Sequence, residues 1–82
     1  MSKFEKLLQR LKSRPADFAW DELLSLLSKL GFKKLEGKGS RVKFYHHDLD
    51  CMIQLHKPHP QKVLKSYMLK EILEMLKRER LI

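Results

Sequence analysis

The period of the hydrophobic pattern changes twice along this chain, and that change most constrains what it can fold into. Phe4, Leu7, Leu8 and Leu11, then Trp20, Leu23, Leu24, Leu27 and Leu30, recur every three or four residues, as on amphipathic helices. From Phe32 to His56 the pattern alternates one-in, one-out, as on half-buried strands. Beyond Pro60 the helical spacing returns, with Met68, Ile72, Met75 and Leu76. With 82 residues there is room for one core only. The helical stripes must therefore be buried on one face of a single sheet.

The punctuation sharpens the elements. The first helix should end near Arg14-Pro15, because proline disfavours a helical residue before it. Short and without a broad apolar face, it suits packing on the domain or a partner better than a membrane surface. The second should run from about Asp17 to Leu30, with Gly31 as its left-handed stop. Phe32 to Glu36, Arg41 to His47 and Cys51 to His56 read as three strands, joined by turns at Glu36-Gly37-Lys38-Gly39 and Asp48-Leu49-Asp50. Val42, Phe44, Ile53 and Leu55 should point inward, with Arg41, Lys43, Tyr45, His47, Gln54 and His56 outward. Pro58 and Pro60 force an extended connection to a last helix, expected near Ser66 with that serine as N-cap. The expected order is α-α-β-β-β-α, an α+β fold with a three-stranded antiparallel sheet.

Charge points to the class of partner. The net charge is +8, and it is unevenly spread. Residues 1–14, 33–43 and 56–82 carry +4 each, while 15–32 and 44–55 carry −2 each. A basic first helix, glycine turn and last helix favour a polyanion, RNA or DNA first. A soluble basic protein, or one with an acidic protein partner, has the same charge. The single cysteine, Cys51, excludes an internal disulfide and suits a reducing cytoplasm. No apolar run marks a signal peptide or a membrane span.

Gly37-Lys38-Gly39-Ser40-Arg41-Val42-Lys43-Phe44 is a glycine turn opening into a cationic strand. Such a turn can bring backbone N–H groups to a phosphate, and an ordinary hairpin turn needs the same glycines. His56-Lys57-Pro58-His59-Pro60 places two imidazoles on a proline-stiffened loop. All four histidines, His46, His47, His56 and His59, fall within fourteen residues. Histidine suits proton transfer near neutral pH; exposed strand and loop histidines such as His46 and His47 can equally be incidental.

From about Trp20 onward the chain resembles the HicA-type toxins of bacterial toxin–antitoxin systems. Leu24, Leu27 and Leu30-Gly31-Phe32, then Lys38-Gly39-Ser40, Pro58-His59-Pro60 and Leu69-Lys70-Glu71-Ile72-Leu73 carry the resemblance in order. It divides the chain into an N-terminal helical extension, 1–19, and a HicA-like domain, 20–82. It implies a double-stranded-RNA-binding-domain-like fold, an mRNA endoribonuclease that slows growth, and a HicB-like antitoxin that masks it. The family usually carries a histidine directly after the Gly-Ser or one residue later. Here Arg41 and Val42 stand there, and arginine is a poor general base that can instead clamp a phosphate.

The expected function is thus a type II toxin that binds and cleaves mRNA without metal or cofactor. Alternatives are a catalytically inactive RNA-binding relative and a protein-interaction module. His59, His56 and His47 are the candidate proton-transfer residues. Lys38, Ser40, Arg41, Lys43, Tyr45 and Lys57 are the candidate RNA contacts; Tyr45 suits base stacking or cross-strand packing. No zinc-type pair-and-pair spacing appears among the histidines and acids. Cys51 should face the core beside Ile53, where a thiol is inert.

Overall fold

A computed structural model describes residues 2–37, 39–58 and 62–82, the side chain of Glu36 excepted. The elements are α1 (Lys3–Ser13), α2 (Trp20–Lys29), β1 (Phe32–Glu36), β2 (Arg41–His46), β3 (Cys51–His56) and α3 (Ser66–Arg78). The strands form one antiparallel sheet in the order β1-β2-β3. From α2 to α3 this is the α-β-β-β-α order of a double-stranded-RNA-binding domain, preceded by one further helix. Helix and sheet residues share one core, in which Leu11, Phe18, Leu23, Leu26, Leu27, Leu69 and Leu76 are fully buried.

The first helix belongs to that core. Ser2 accepts a hydrogen bond from the Glu5 N–H and caps its start. The chain leaves it at Arg14, with φ +49°, just before Pro15. Leu7 and Leu11 are buried, and α1 packs against α2 and α3. Arg10 fastens the joint: its Nε donates to Glu22 Oε2 at 2.8 Å and its Nη2 to Glu22 Oε1 at 3.1 Å. The same guanidinium reaches Asp17 at 3.4 Å and lies 5.8 Å from the centre of the Phe18 ring. Its pKa is raised, chiefly by the bond to Glu22.

Helix α2 starts at Trp20 rather than Asp17. Phe18 and Ala19 are drawn into an extended pairing with the chain before α3. Ala19 bridges Val63, the Trp20 N–H donates to the Lys62 carbonyl at 2.9 Å, and the Leu64 N–H donates to the Phe18 carbonyl at 2.8 Å. Residues committed to that ladder are extended, so the helix begins after them. Glu22 reaches back to accept from the Ala19 N–H at 3.1 Å, filling the place of a capping side chain. Gly31, at φ +102°, ends the helix as expected.

Three further differences from expectation have local causes. Ser66 is the first helical residue of α3 and Lys65 its N-cap, because the extended Lys65 offers its carbonyl to the Met68 and Leu69 N–H groups. Strand β2 ends at His46, since His47 opens the turn that the Asp50 N–H closes onto the His47 carbonyl at 3.3 Å. His46 is no incidental surface histidine. The inward alternation of Val42 and Phe44 extends to it, and it is 8% exposed. Its Nε2 donates to the Leu30 carbonyl at 3.0 Å, its Nδ1 accepts from the Leu49 N–H at 3.3 Å, and its ring meets the Phe32 ring edge-on at 5.1 Å. The carbonyl demands a donor and the N–H an acceptor, so the hydrogen bonds assign the neutral Nε2–H tautomer. His46 thereby ties the end of α2 to the β2–β3 turn.

Candidate nucleic-acid interface

Residues directly opposite in an antiparallel ladder share a face. The register pairs Arg41 with His56, Lys43 with Gln54, and Tyr45 with Met52 across β2 and β3. Across β1 and β2 it pairs Lys33 with Tyr45 and Leu35 with Lys43. All of these lie on the face away from the core, and all are exposed except Tyr45, which is half-buried. The open face is thus a cationic field of Lys33, Arg41 and Lys43, interleaved with Leu35, Tyr45 and Met52.

The Arg41–His56 pair closes one end of this face. The Gly37 N–H donates to the Arg41 carbonyl at 3.1 Å, so the Arg41 backbone points toward β1. Beside the pair, the Lys57 N–H donates to the Ser40 carbonyl at 2.8 Å. Arg41 and His56 therefore form a non-hydrogen-bonded pair, the kind in which opposing side chains stand closest. The same bond holds Ser40 and Lys57 side by side. In the turn, Gly39 has φ +64°, and a Cβ on Gly37 would stand 2.9 Å from the Arg41 carbonyl oxygen. Both glycines are thus required by the hairpin itself.

His47 is not brought to this pair. Six residues further along, it lies in the turn at the other end of β2, roughly 20 Å from Arg41 at strand rise. Its ring stands edge-on to Tyr45, centroids 6.3 Å apart. The Tyr45 hydroxyl is itself engaged, donating to Asp50 Oδ1 at 2.8 Å, and that bond is the main cause of its raised pKa. Lys38 and His59 lie outside the described residues. Among the described residues, no group of three His, Cys, Asp or Glu side chains is placed to hold a metal ion. Cys51 is half-buried, and burial first, then the charge of Glu79, pushes its thiol pKa up, which keeps it in the unreactive form. No helix among the described residues is long and apolar enough to cross a membrane.

A groove of about 740 Å³ adjoins the Arg41–His56 end. It runs between the C-terminal end of β3 and the first turns of α3. Leu55, Val63, Leu64 and Met68 contribute its apolar surface, Lys57 and Lys65 its cations, and His56 an imidazole. Tyr67, 60% exposed, also lines it. Tyr67 lies beside the helical stripe of Met68, Ile72, Met75 and Leu76, and nothing in the sequence pattern marked it. Its role depends on how close α3 begins to β3, which no local pattern reports.

The same segments that build this surface carry the likeness to known proteins. A family model described as "HicA toxin of bacterial toxin-antitoxin" matches residues 20–77, from the first residue of α2 to the last turn of α3. No curated protein and no solved structure matches the chain. The family match covers well over half of the chain, in the order of elements that the resemblance led one to expect, and the chain belongs to the HicA toxin family.

Proposed function

We propose that the protein is the toxin of a type II pair, that it binds mRNA along the open sheet face, and that it cleaves the strand at the Arg41–His56 end. A HicB-like antitoxin is its natural partner, and the cytoplasm its place of action. The observation that carries this reading is the direct opposition of an arginine and a histidine on an exposed cationic face.

The chemistry follows from the groups present. Arg41 and Lys43 hold a phosphate and neutralise the charge that grows on it. The adjacent ribose 2′-oxygen attacks phosphorus as its proton passes to a base. The bond to the 5′-oxygen breaks as that oxygen takes a proton from an acid. The products are a 2′,3′-cyclic phosphate and a 5′-hydroxyl. His56 supplies one of the two proton-transfer groups. His59, three residues on in the chain, is the candidate for the other, and Lys38, Ser40 and Lys57 extend the phosphate contacts.

Incubating purified protein with a single-stranded RNA tests this directly. Cleavage that survives His47→Ala and falls by about 10²–10⁴ in His56→Ala and His59→Ala is the expected result. Cleavage indifferent to both changes removes the assignment. A second reading is favoured by Arg41 itself, which stands where the family usually has histidine. On that reading the protein keeps the RNA surface without cutting, and it binds RNA in a salt-dependent manner while induced expression leaves growth unaffected.

A further inference from the structure

We infer that the groove between β3 and α3 is a subsite for one unpaired nucleobase, with Tyr67 as its stacking platform. This rests on the reading of the open face as an RNA-binding surface, and it narrows the substrate to a strand whose base can leave the helix. Four observations carry it.

First, the groove is continuous with the phosphate-binding end. His56 belongs to both, and Lys57 follows it along the groove wall. A strand whose phosphate lies at Arg41 therefore has its neighbouring base within reach of the groove. Second, the lining has the chemistry of a base. Leu55, Val63, Leu64 and Met68 are apolar, and Tyr67 keeps 60% of its surface exposed although it is aromatic. An exposed ring beside a cationic track is how single strands are held without pairing. Third, hydrogen-bonding groups border the apolar surface. Gln54 and Glu71 line the groove. The ladder alternation also turns the backbone N–H and C=O of Gln54 and His56 away from β2, toward this edge of the sheet. Fourth, the volume of about 740 Å³ falls within the range of small-ligand sites. A base stacked inside a duplex presents no free ring face to Tyr67, so a paired strand engages the phosphate contacts alone.

The test compares binding of a fluorescein-labelled 12-nucleotide single-stranded RNA, and of the blunt 12-base-pair duplex of the same sequence, to the full chain. The proteins are wild type, Tyr67→Ala, Tyr67→Phe and Arg41→Ala, each with its melting temperature recorded. Tyr67→Ala weakens single-strand binding about tenfold, leaves duplex binding within twofold, and does not shift melting, since the ring is exposed. Tyr67→Phe restores the single-strand affinity, because stacking needs the ring and not the hydroxyl. Equal single-strand affinities for wild type and Tyr67→Ala overturn the inference. If Tyr67→Ala then weakens antitoxin binding instead, the groove is a protein-docking surface. The general RNA-binding reading stands or falls separately, on whether Arg41→Ala weakens both RNAs.

Discussion

Arg41 faces His56 across a narrow, non-hydrogen-bonded position of the β2–β3 ladder, at the point where the glycine turn becomes strand. Cβ atoms at such positions stand about 4.5–5.5 Å apart. Val42, the next residue, points the other way and is buried. The two places where the family usually carries its histidine thus lie on opposite faces here, and only the first is open to a substrate.

That geometry makes Arg41→His informative. The substitution sets two imidazoles directly opposite each other, one able to take a proton while the other gives one. RNA cleavage by this variant should exceed that of wild type and follow a bell-shaped pH profile. A variant that binds RNA as well as wild type and cuts no faster shows that the open-face position is not where the chemistry occurs.

Arg41→Ala and Lys43→Ala should each weaken RNA binding at low salt. Each should also lower the slope of log K against log salt by about 0.7, the value for one contact with a single strand. Fluorescence anisotropy at several salt concentrations measures both quantities. A slope unchanged in both variants places the phosphates elsewhere.

His46→Ala leaves the Leu30 carbonyl and the Leu49 N–H without their partner. The loss should be about 1–3 kcal/mol from hydrogen bonding alone, at about 4–8 °C of melting temperature per kcal/mol for a chain of this size. Gly31→Ala should also destabilise. Its Cβ would stand 2.8 Å from His46 Nε2, on backbone at φ +102°. The double variant should lose less than the sum of the two, because the clash disappears with the ring. Denaturant melts of the four proteins measure the coupling.

Leu11→Ala should cost about 2–5 kcal/mol, since Leu11 is fully buried. Against a total stability on the order of 4–12 kcal/mol for a chain of this size, this distinguishes a structural α1 from a loosely attached one. A melting temperature within 2 °C of wild type would show the helix to be dispensable to the fold.

Tyr45 should ionise above the usual value of 10.0, because its hydroxyl donates to the Asp50 carboxylate. A folded pKa above the unfolded one means that the contribution is complete below about pH 10 and fades as pH climbs through the folded value. In a Tyr67→Phe background Tyr45 is the sole tyrosine, so tyrosinate absorbance reports it alone. Asp50→Asn should move that titration down.

Much of the fold was legible in the chain, because period and punctuation are local. The shift from helical to alternating spacing at Gly31-Phe32 determined the element order, and alternation placed Arg41, Lys43 and His56 on one face. The inward place of His46 was equally available, two residues beyond Phe44, but its hydrogen-bond partners were not. Those partners, Leu30 and Leu49, come from a helix end and a turn.

Tertiary structure decided what depends on distance between segments. It extended Phe18 and Ala19 against residues 63 and 64, against a helical pattern that ran through them. It separated His47 from His56 by the length of a strand, although alternation alone put both on the open side. It set Tyr67 beside the end of β3 and so opened a groove next to the Arg41–His56 pair. Periodicity reports which way a side chain points, because backbone geometry repeats along the chain. Only packing reports which side chains from different elements meet.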